Sequence, residues 1–475
     1  MSLMIDCLPG AKWLGIFSDR IASTAMRVFL WTSLCLISWS ARAAADGSPG
    51  YFRDVRPVLQ RQCQGCHQPN SLSSGLDLTT FEGFAKGGKR GPAFRAGSPA
   101  ESLVVKYMRG EMQPLMPLGG TAVPKDQIEA ISAWIAAGAK NDTPKEATDT
   151  ISAANPPSYS QPPVISALAF SPDGQTLAVS GYREVLLHKA DGSGLISRLV
   201  GLSERLNSVT YSSDGKLLVT AGGTPARFGE IQIWDTATGK LKRSVTLTGD
   251  TVFGGSVSPD GKMIAAGATD NSVRLIETST GKELQKIGNH ENWVLSTVFG
   301  VDGKRVVSVS KDRAAKLSDT ASGGFLENVN LLRGELQAIA RHPSKDIVVI
   351  GGEERIPYMY VMDRPKVMKI ADDTTLVRKF PRQDGVIAAL AWSGDGKKIA
   401  VAGLSPQVNI YDADTGKPVA SCTGHKAGIY AVAFNPAGDR VATGGFDGHV
   451  RIYNSASGEL LKDFVPVPLL VSRND

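Results

Sequence analysis

Apolar positions follow three successive spacings along the chain. A continuous apolar run from Val28 to Trp39 follows Arg27 and gives way to the small residues Ala43, Ala44 and Ala45. Helical stripes come next. Phe52, Val55, Val58 and Leu59 recur three and four apart, and Pro57 among them predicts a bend. Ser102–Arg109 reads as a second helix, and Pro124–Gly138 as a third, with Ile128, Ile131, Trp134 and Ile135 on one face and Gly138 placed to cap the end. From Val164 onward the period shortens to that of strands. Runs such as Leu177-Ala178-Val179 and Val441-Ala442-Thr443 are short, apolar and bounded by turn residues.

The strand region repeats itself. Ala169-Phe170-Ser171-Pro172-Asp173-Gly174 is echoed by Ser212-Ser213-Asp214-Gly215, Ser258-Pro259-Asp260-Gly261, Val301-Asp302-Gly303, Ser393-Gly394-Asp395-Gly396 and Asn435-Pro436-Ala437-Gly438. The spacing is about 41 to 46 residues with one wider gap, which suits four strands per copy arranged as the blades of a propeller. A divergent copy, Ile339-Ala340-Arg341-His342-Pro343, fills the gap and brings the count to about seven. A second signature follows in four copies, Ile231-Gln232-Ile233-Trp234-Asp235-Thr236-Ala237-Thr238-Gly239-Lys240, Val273 to Lys282, Val408 to Lys417 and Val450 to Glu459. The fifth copy departs most. Its Arg355-Ile356-Pro357-Tyr358-Met359-Tyr360 reads as ordinary strand packing, with an exposed contact site as the other reading.

These patterns predict a multidomain chain of 475 residues. Residues 1–45 have the charged start, apolar centre and small-residue end of a signal peptide, with the apolar stretch too short to span a bilayer. A small all-α domain is expected over 46–142, a Pro/Ser/Thr-rich linker over 143–163, an all-β propeller over 164–466 and a tail over 467–475. The net charge is +6; removing Lys12, Arg20, Arg27 and Arg42 with Asp6 and Asp19 leaves +4, with no basic run to argue for nucleic acid. No stretch after the signal is long and apolar enough to cross a membrane.

Cysteine usage then singles out one place. Cys7 and Cys35 lie in the signal, Cys422 sits alone at a strand end as a small hydrophobe, and the remaining two form Cys63-Gln64-Gly65-Cys66-His67. A Cys-x-x-Cys-His run is the attachment spacing of c-type haem: two thiols take the vinyl groups and the next imidazole takes the iron. A redox dithiol or half a zinc site is the plainer reading. Zinc needs further ligands nearby, and the next histidine is His188. A six-coordinate iron needs a second axial ligand. Within 46–142 the candidates are Met108, Met112 and Met116, and the Pro/Gly-rich loop favours Met116 over Met112, with Met108 on a helix.

The segment resembles the planctomycete-type cytochrome c domain. The likeness rests on the haem motif, Gly75-Leu76-Asp77-Leu78, Gly87-Gly88-Lys89-Arg90-Gly91-Pro92, Gly97-Ser98-Pro99-Ala100-Glu101-Ser102, Met116-Pro117 and Trp134-Ile135-Ala136-Ala137-Gly138. The resemblance implies that the methionine before proline is the distal ligand, here Met116. The repeats resemble WD40 repeats, of which only Trp234-Asp235 keeps the literal dipeptide. That likeness implies structural networks from His425, Thr443, Asp447 and Tyr453, and from His290 with Asp312, rather than catalytic groups. The fusion leads us to expect a periplasmic or otherwise extracytoplasmic protein with one covalent haem c. It would transfer one electron to unidentified redox partners, with a protein partner docked on the propeller. The alternatives are a haem-linked oxidoreductase or peroxidase with its site against the propeller, and a haem-based sensor.

Overall fold

A computed structural model describes residues 49–68, 71–118, 122–144, 151–362 and 371–470. The predicted signal over 1–45 lies outside the described residues. Within them no helix is long and apolar enough to cross a membrane.

The N-terminal part is built from helices. The chain enters through one π-turn, Tyr51–Val55, and runs directly into helix α1, Arg56–Gln62. Pro57 is tolerated because it sits at this join, in the first turn of α1, where a missing N–H leaves no bond unmade. Asp54 and Asp142 take the free backbone N–H groups of Gly50 and Phe52 at 2.7 Å each. Helices α2 (Phe81–Lys86), α3 (Leu103–Arg109) and α4 (Lys125–Ala136) follow. The apolar stripe of α4 is buried as its spacing predicts, with Ile131, Trp134 and Ile135 packed on Tyr51, Val55 and Leu59. Phe52 is only half-buried; Tyr51 takes the interior place instead, against Phe81, Phe84 and Trp134. Helices are not the whole of it. His67–Gln68 pairs antiparallel with Ser71–Leu72, so the histidine of the motif lies on a two-residue strand.

Behind them stand seven four-stranded antiparallel sheets, each made of four consecutive strands in simple order. Blade 1 runs from Leu168 to Val200, blade 2 from Arg205 to Thr248, blade 3 from Val252 to Ile287 and blade 4 from Val294 to Asn328. Blades 5, 6 and 7 cover Leu336–Lys379, Ile387–Cys422 and Ile429–Phe464. Second strands such as Arg440–Gly445 are buried almost throughout, whereas the outer strand Leu460–Phe464 is exposed. The reason is layering: an inner strand is covered on both faces by neighbouring blades, so its sequence is continuously apolar. One core cluster mixes Ala178 and Val185 of blade 1 with Leu206, Leu218 and Trp234 of blade 2.

The repeated turn has one construction. Ser171 Oγ donates to Asp173 Oδ1 at 2.5 Å, Gln175 N–H donates to the same oxygen at 3.0 Å, and Gly174 adopts φ +70°. The same pattern recurs at Ser258, Asp260 and Gly261, and at Ser393, Asp395 and Gly396. Glycine is needed because an L side chain strains in the left-handed region. In blade 5, Tyr358–Val361 is the third strand with Tyr358, Met359 and Tyr360 buried, which is strand packing.

Among the described residues no strand is exchanged between blades to shut the ring. Ile165 N–H donates to Gly445 O at 3.0 Å, and Tyr159 pairs in parallel with Leu469. Tyr159 is buried with Leu186 and Val467, its hydroxyl donates to Glu184 at 2.6 Å, and Arg198 bonds the same carboxylate.

Candidate haem site

Helix α1 delivers the motif. Cys63 ends the helix with its N–H on Leu59 O at 2.9 Å, and the N–H groups of Cys66 and His67 both fold back on Cys63 O at 3.2 Å. That turn sets two thiols and an imidazole on one short loop. Gln64 anchors it from inside, its amide donating to Leu78 O at 2.6 Å. His67 Nδ1 lies 3.0 Å from Ser73 O. A carbonyl only accepts, so Nδ1 carries the hydrogen and Nε2 keeps its lone pair, which is the arrangement a metal-binding imidazole requires. Burial lowers the pKa of His67, and the backbone bonds to Ser73 and Leu76 oppose it. The neutral ring is favoured.

Both thiols are free. Burial pushes Cys63 up to about 12, helped by the charge of Cys66. Cys66 is raised by burial too, and Arg243 pulls it back. That arginine belongs to blade 2.

The loop in fact rests on the propeller. A Cβ at Gly65 would stand 2.5 Å from Ser244 O, so glycine is required where the loop meets the outer strand of blade 2, Leu241–Thr248. Between them lies a cavity of about 680 Å³, within the range of small-molecule and cofactor sites. Cys63, Cys66, His67 and Met116 all line it, as do apolar groups such as Leu76 and Leu78. Met112 is not among the lining residues, and Met108 is shared between the cavity wall and the apolar core around Trp134. Met116 is held by its N–H on Tyr107 O at 3.2 Å. Arg90 fastens the same loop, bonding Tyr107 Oη and lying 3.4 Å from Gln113 O.

The charge of the lining is one-sided. Arg61, Arg90 and Arg243 face the cavity, with no Asp, Glu or Lys among its lining residues. Arg61 Nε is buried without a hydrogen-bond partner. Two thiols, an imidazole, a thioether, apolar walls and three arginines with no carboxylate in the lining fit a porphyrin that carries two carboxylates. The motif and Met116, named from the sequence, all line this cavity, whereas Arg61, Arg90 and the whole blade 2 wall were not anticipated.

The histidines of the propeller are engaged elsewhere. His290 bonds Asp312 at 2.7 Å and Ser308 at 2.8 Å; His425 bonds Asp447 at 3.1 Å and Thr443 at 2.7 Å. Tyr453 Oη donates to Thr423 O at 2.8 Å. Cys422 is fully buried in the core of blades 6 and 7.

Comparison with known families agrees with this division. Planctomycete cytochrome C matches residues 63–117, from the first cysteine of the motif to the proline after Met116. The WD domain, G-beta repeat, matches 241–277, 281–319 and 416–454, and the anaphase-promoting complex subunit 4 WD40 domain matches 339–431. An uncharacterized WD repeat-containing protein of Synechocystis, sll1491, is 30% identical over 105 residues, 21% of this chain and 28% of its own. The COMPASS component SWD3 of Saccharomyces cerevisiae is 27% identical over 113 residues, 23% of this chain and 34% of its own. The chain thus spans about a third or less of the length of these relatives. Its two parts are accordingly a segment matched by planctomycete cytochrome C and a seven-bladed propeller of WD40 repeats.

Proposed function

We propose that this chain is an exported monohaem c-type cytochrome whose propeller serves as a docking scaffold. In this reading residues 46–142 form the cytochrome domain, and Cys63 and Cys66 hold haem c through thioethers. His67 and Met116 would ligate its iron. The observation that carries the reading is the cavity that gathers these four side chains with three arginines and no carboxylate. Haem bound there would supply a one-electron ferric/ferrous couple. The protein's part is to orient and to exclude water. Ser73 O fixes the His67 tautomer, Tyr107 O holds the Met116 loop, and blade 2 shields the site from one side.

The test is expression with a c-type maturation system and residues 1–45 intact. Haem should survive denaturation of the wild type, fall to one thioether in Cys63→Ala or Cys66→Ala, and be lost in the double variant. Met116→Ala should keep covalent haem while its ferrous form binds carbon monoxide. Carbon monoxide binding unchanged from wild type would remove Met116 as a ligand, and wild-type protein without covalent haem would sink the cytochrome reading itself.

A further inference from the structure

The blade 2 strand does more than touch the attachment loop. Arg243, Ser244, Val245, Thr246, Leu247 and Thr248 all line the cavity, joined by Thr280 and Gly281 from the neighbouring turn of blade 3. Arg243 is the charged member of this wall. Its Nη2 donates to Ser279 O at 2.9 Å, which fixes the guanidinium at the cavity edge, and it makes no ion pair with any carboxylate among the described residues. Gly281 makes room for it: a Cβ there would stand 2.5 Å from Arg243 Cδ.

We propose that the propeller is part of the haem-binding machinery, and that Arg243 on blade 2 pairs with a haem propionate. This rests on the haem reading above. Two propionates would bring two negative charges into a cavity whose lining has three positive side chains and no negative one. Leaving Arg243 without a carboxylate partner in the protein is reasonable if the cofactor supplies that partner, because charge-assisted bonds from a guanidinium to a carboxylate are the strong ones. Arg61 and Arg90 are contributed by the helical part, so the two halves of the chain would grip one cofactor together. A haem held in this way reports on the propeller, and a ligand that moves blade 2 would change the redox couple.

The full-length holoprotein carries the test. Arg243→Gln removes a cation and leaves an uncompensated carboxylate, both of which favour the ferric state, so the midpoint potential should fall while covalent haem stays at the wild-type level. Arg243→Lys should restore most of the potential. Lys242→Gln, on the same strand but paired with Asp235 at 3.3 Å and outside the cavity lining, should leave it unmoved. A potential unchanged in Arg243→Gln overturns the pairing, as does an equal fall in Lys242→Gln, which would reduce the effect to general surface charge. Arg61→Gln serves as a second probe of the same cavity; if it shifts the potential and Arg243→Gln does not, the propionates lie on the helical side alone. Wild-type protein without covalent haem would instead overturn the cytochrome reading, and the two failures are therefore distinguishable.

Discussion

Asp447 shows how a single carboxylate ties a blade together. Burial by itself would raise its pKa, but the hydrogen bond from Arg451, the charge of His425 and the backbone N–H groups of His449 and Lys426 outweigh that and hold it at about 2. The unfolded value is about 3.9. A carboxyl depressed on folding contributes stability above the unfolded pKa and loses it as pH falls through the folded one, so this contribution is complete at neutral pH and fades between about pH 4 and pH 2. Asp447→Asn should cost about 1–3 kcal/mol in denaturant unfolding at pH 7, and the gap to wild type should narrow toward pH 2. A gap that stays constant with pH would assign the loss to shape rather than charge. The sequence showed the participants, since His425, Thr443 and Asp447 stand in repeat order. It did not show Arg451, which lies 2.7 Å from Asp447 and competes for the same site. The motif cysteines were legible for a similar reason: their spacing is local. The Ser73 carbonyl that fixes the His67 tautomer was not, because that bond depends on the turn after the motif.

At the scale of elements, what the sequence revealed was periodicity, and what it concealed was which face is covered and by what. The Ser-x-Asp-Gly turns and the apolar second strands follow from local rules and are present as read. The outer strand of blade 2 has the half-polar pattern of any edge strand, so nothing in Leu241–Thr248 distinguishes contact with solvent from contact with the Cys63–His67 loop. The entry turn Tyr51–Val55 was likewise hidden, since its capping partner Asp142 is remote in sequence. Gly65 gives the clearest handle on the contact. In Gly65→Ala the new methyl would meet Ser244 O at 2.5 Å, and neither backbone can yield without moving its element. We expect a loss of about 1–3 kcal/mol in thermal or urea unfolding, with haem attachment kept. Wild-type stability in this variant would mean that the loop does not rest on blade 2 in solution.

For the molecule as a whole, about seven blades were countable from the repeats, including the divergent fifth, and the structure has seven. How the ring closes was not legible there. Closure joins a residue before the first repeat to one after the last, and Tyr159 lies in a stretch whose composition suggests only a linker. The structure puts it in a small apolar cluster with Leu186 and Val467, beside the paired Glu184 and Arg198. Val467→Asp would put a carboxylate into the buried apolar cluster of Tyr159 and Leu186, at roughly 2–5 kcal/mol. The expected outcome is rapid proteolysis in residues 143–163 and at the C-terminus while the blades stay intact; unchanged protection of both ends would show that the cluster does not hold the seam.

The pairing of Tyr159 with Leu469 also decides how the molecule bears a mechanical load. Both ends of the ring leave at one place, so tension applied between the N-terminal part and the C-terminus is met first by this clip. Force does not have to pass through seven sheets in series. A pull between these ends is expected to open the clip before a blade, because it is a single isolated bridge whereas each blade is a four-stranded ladder.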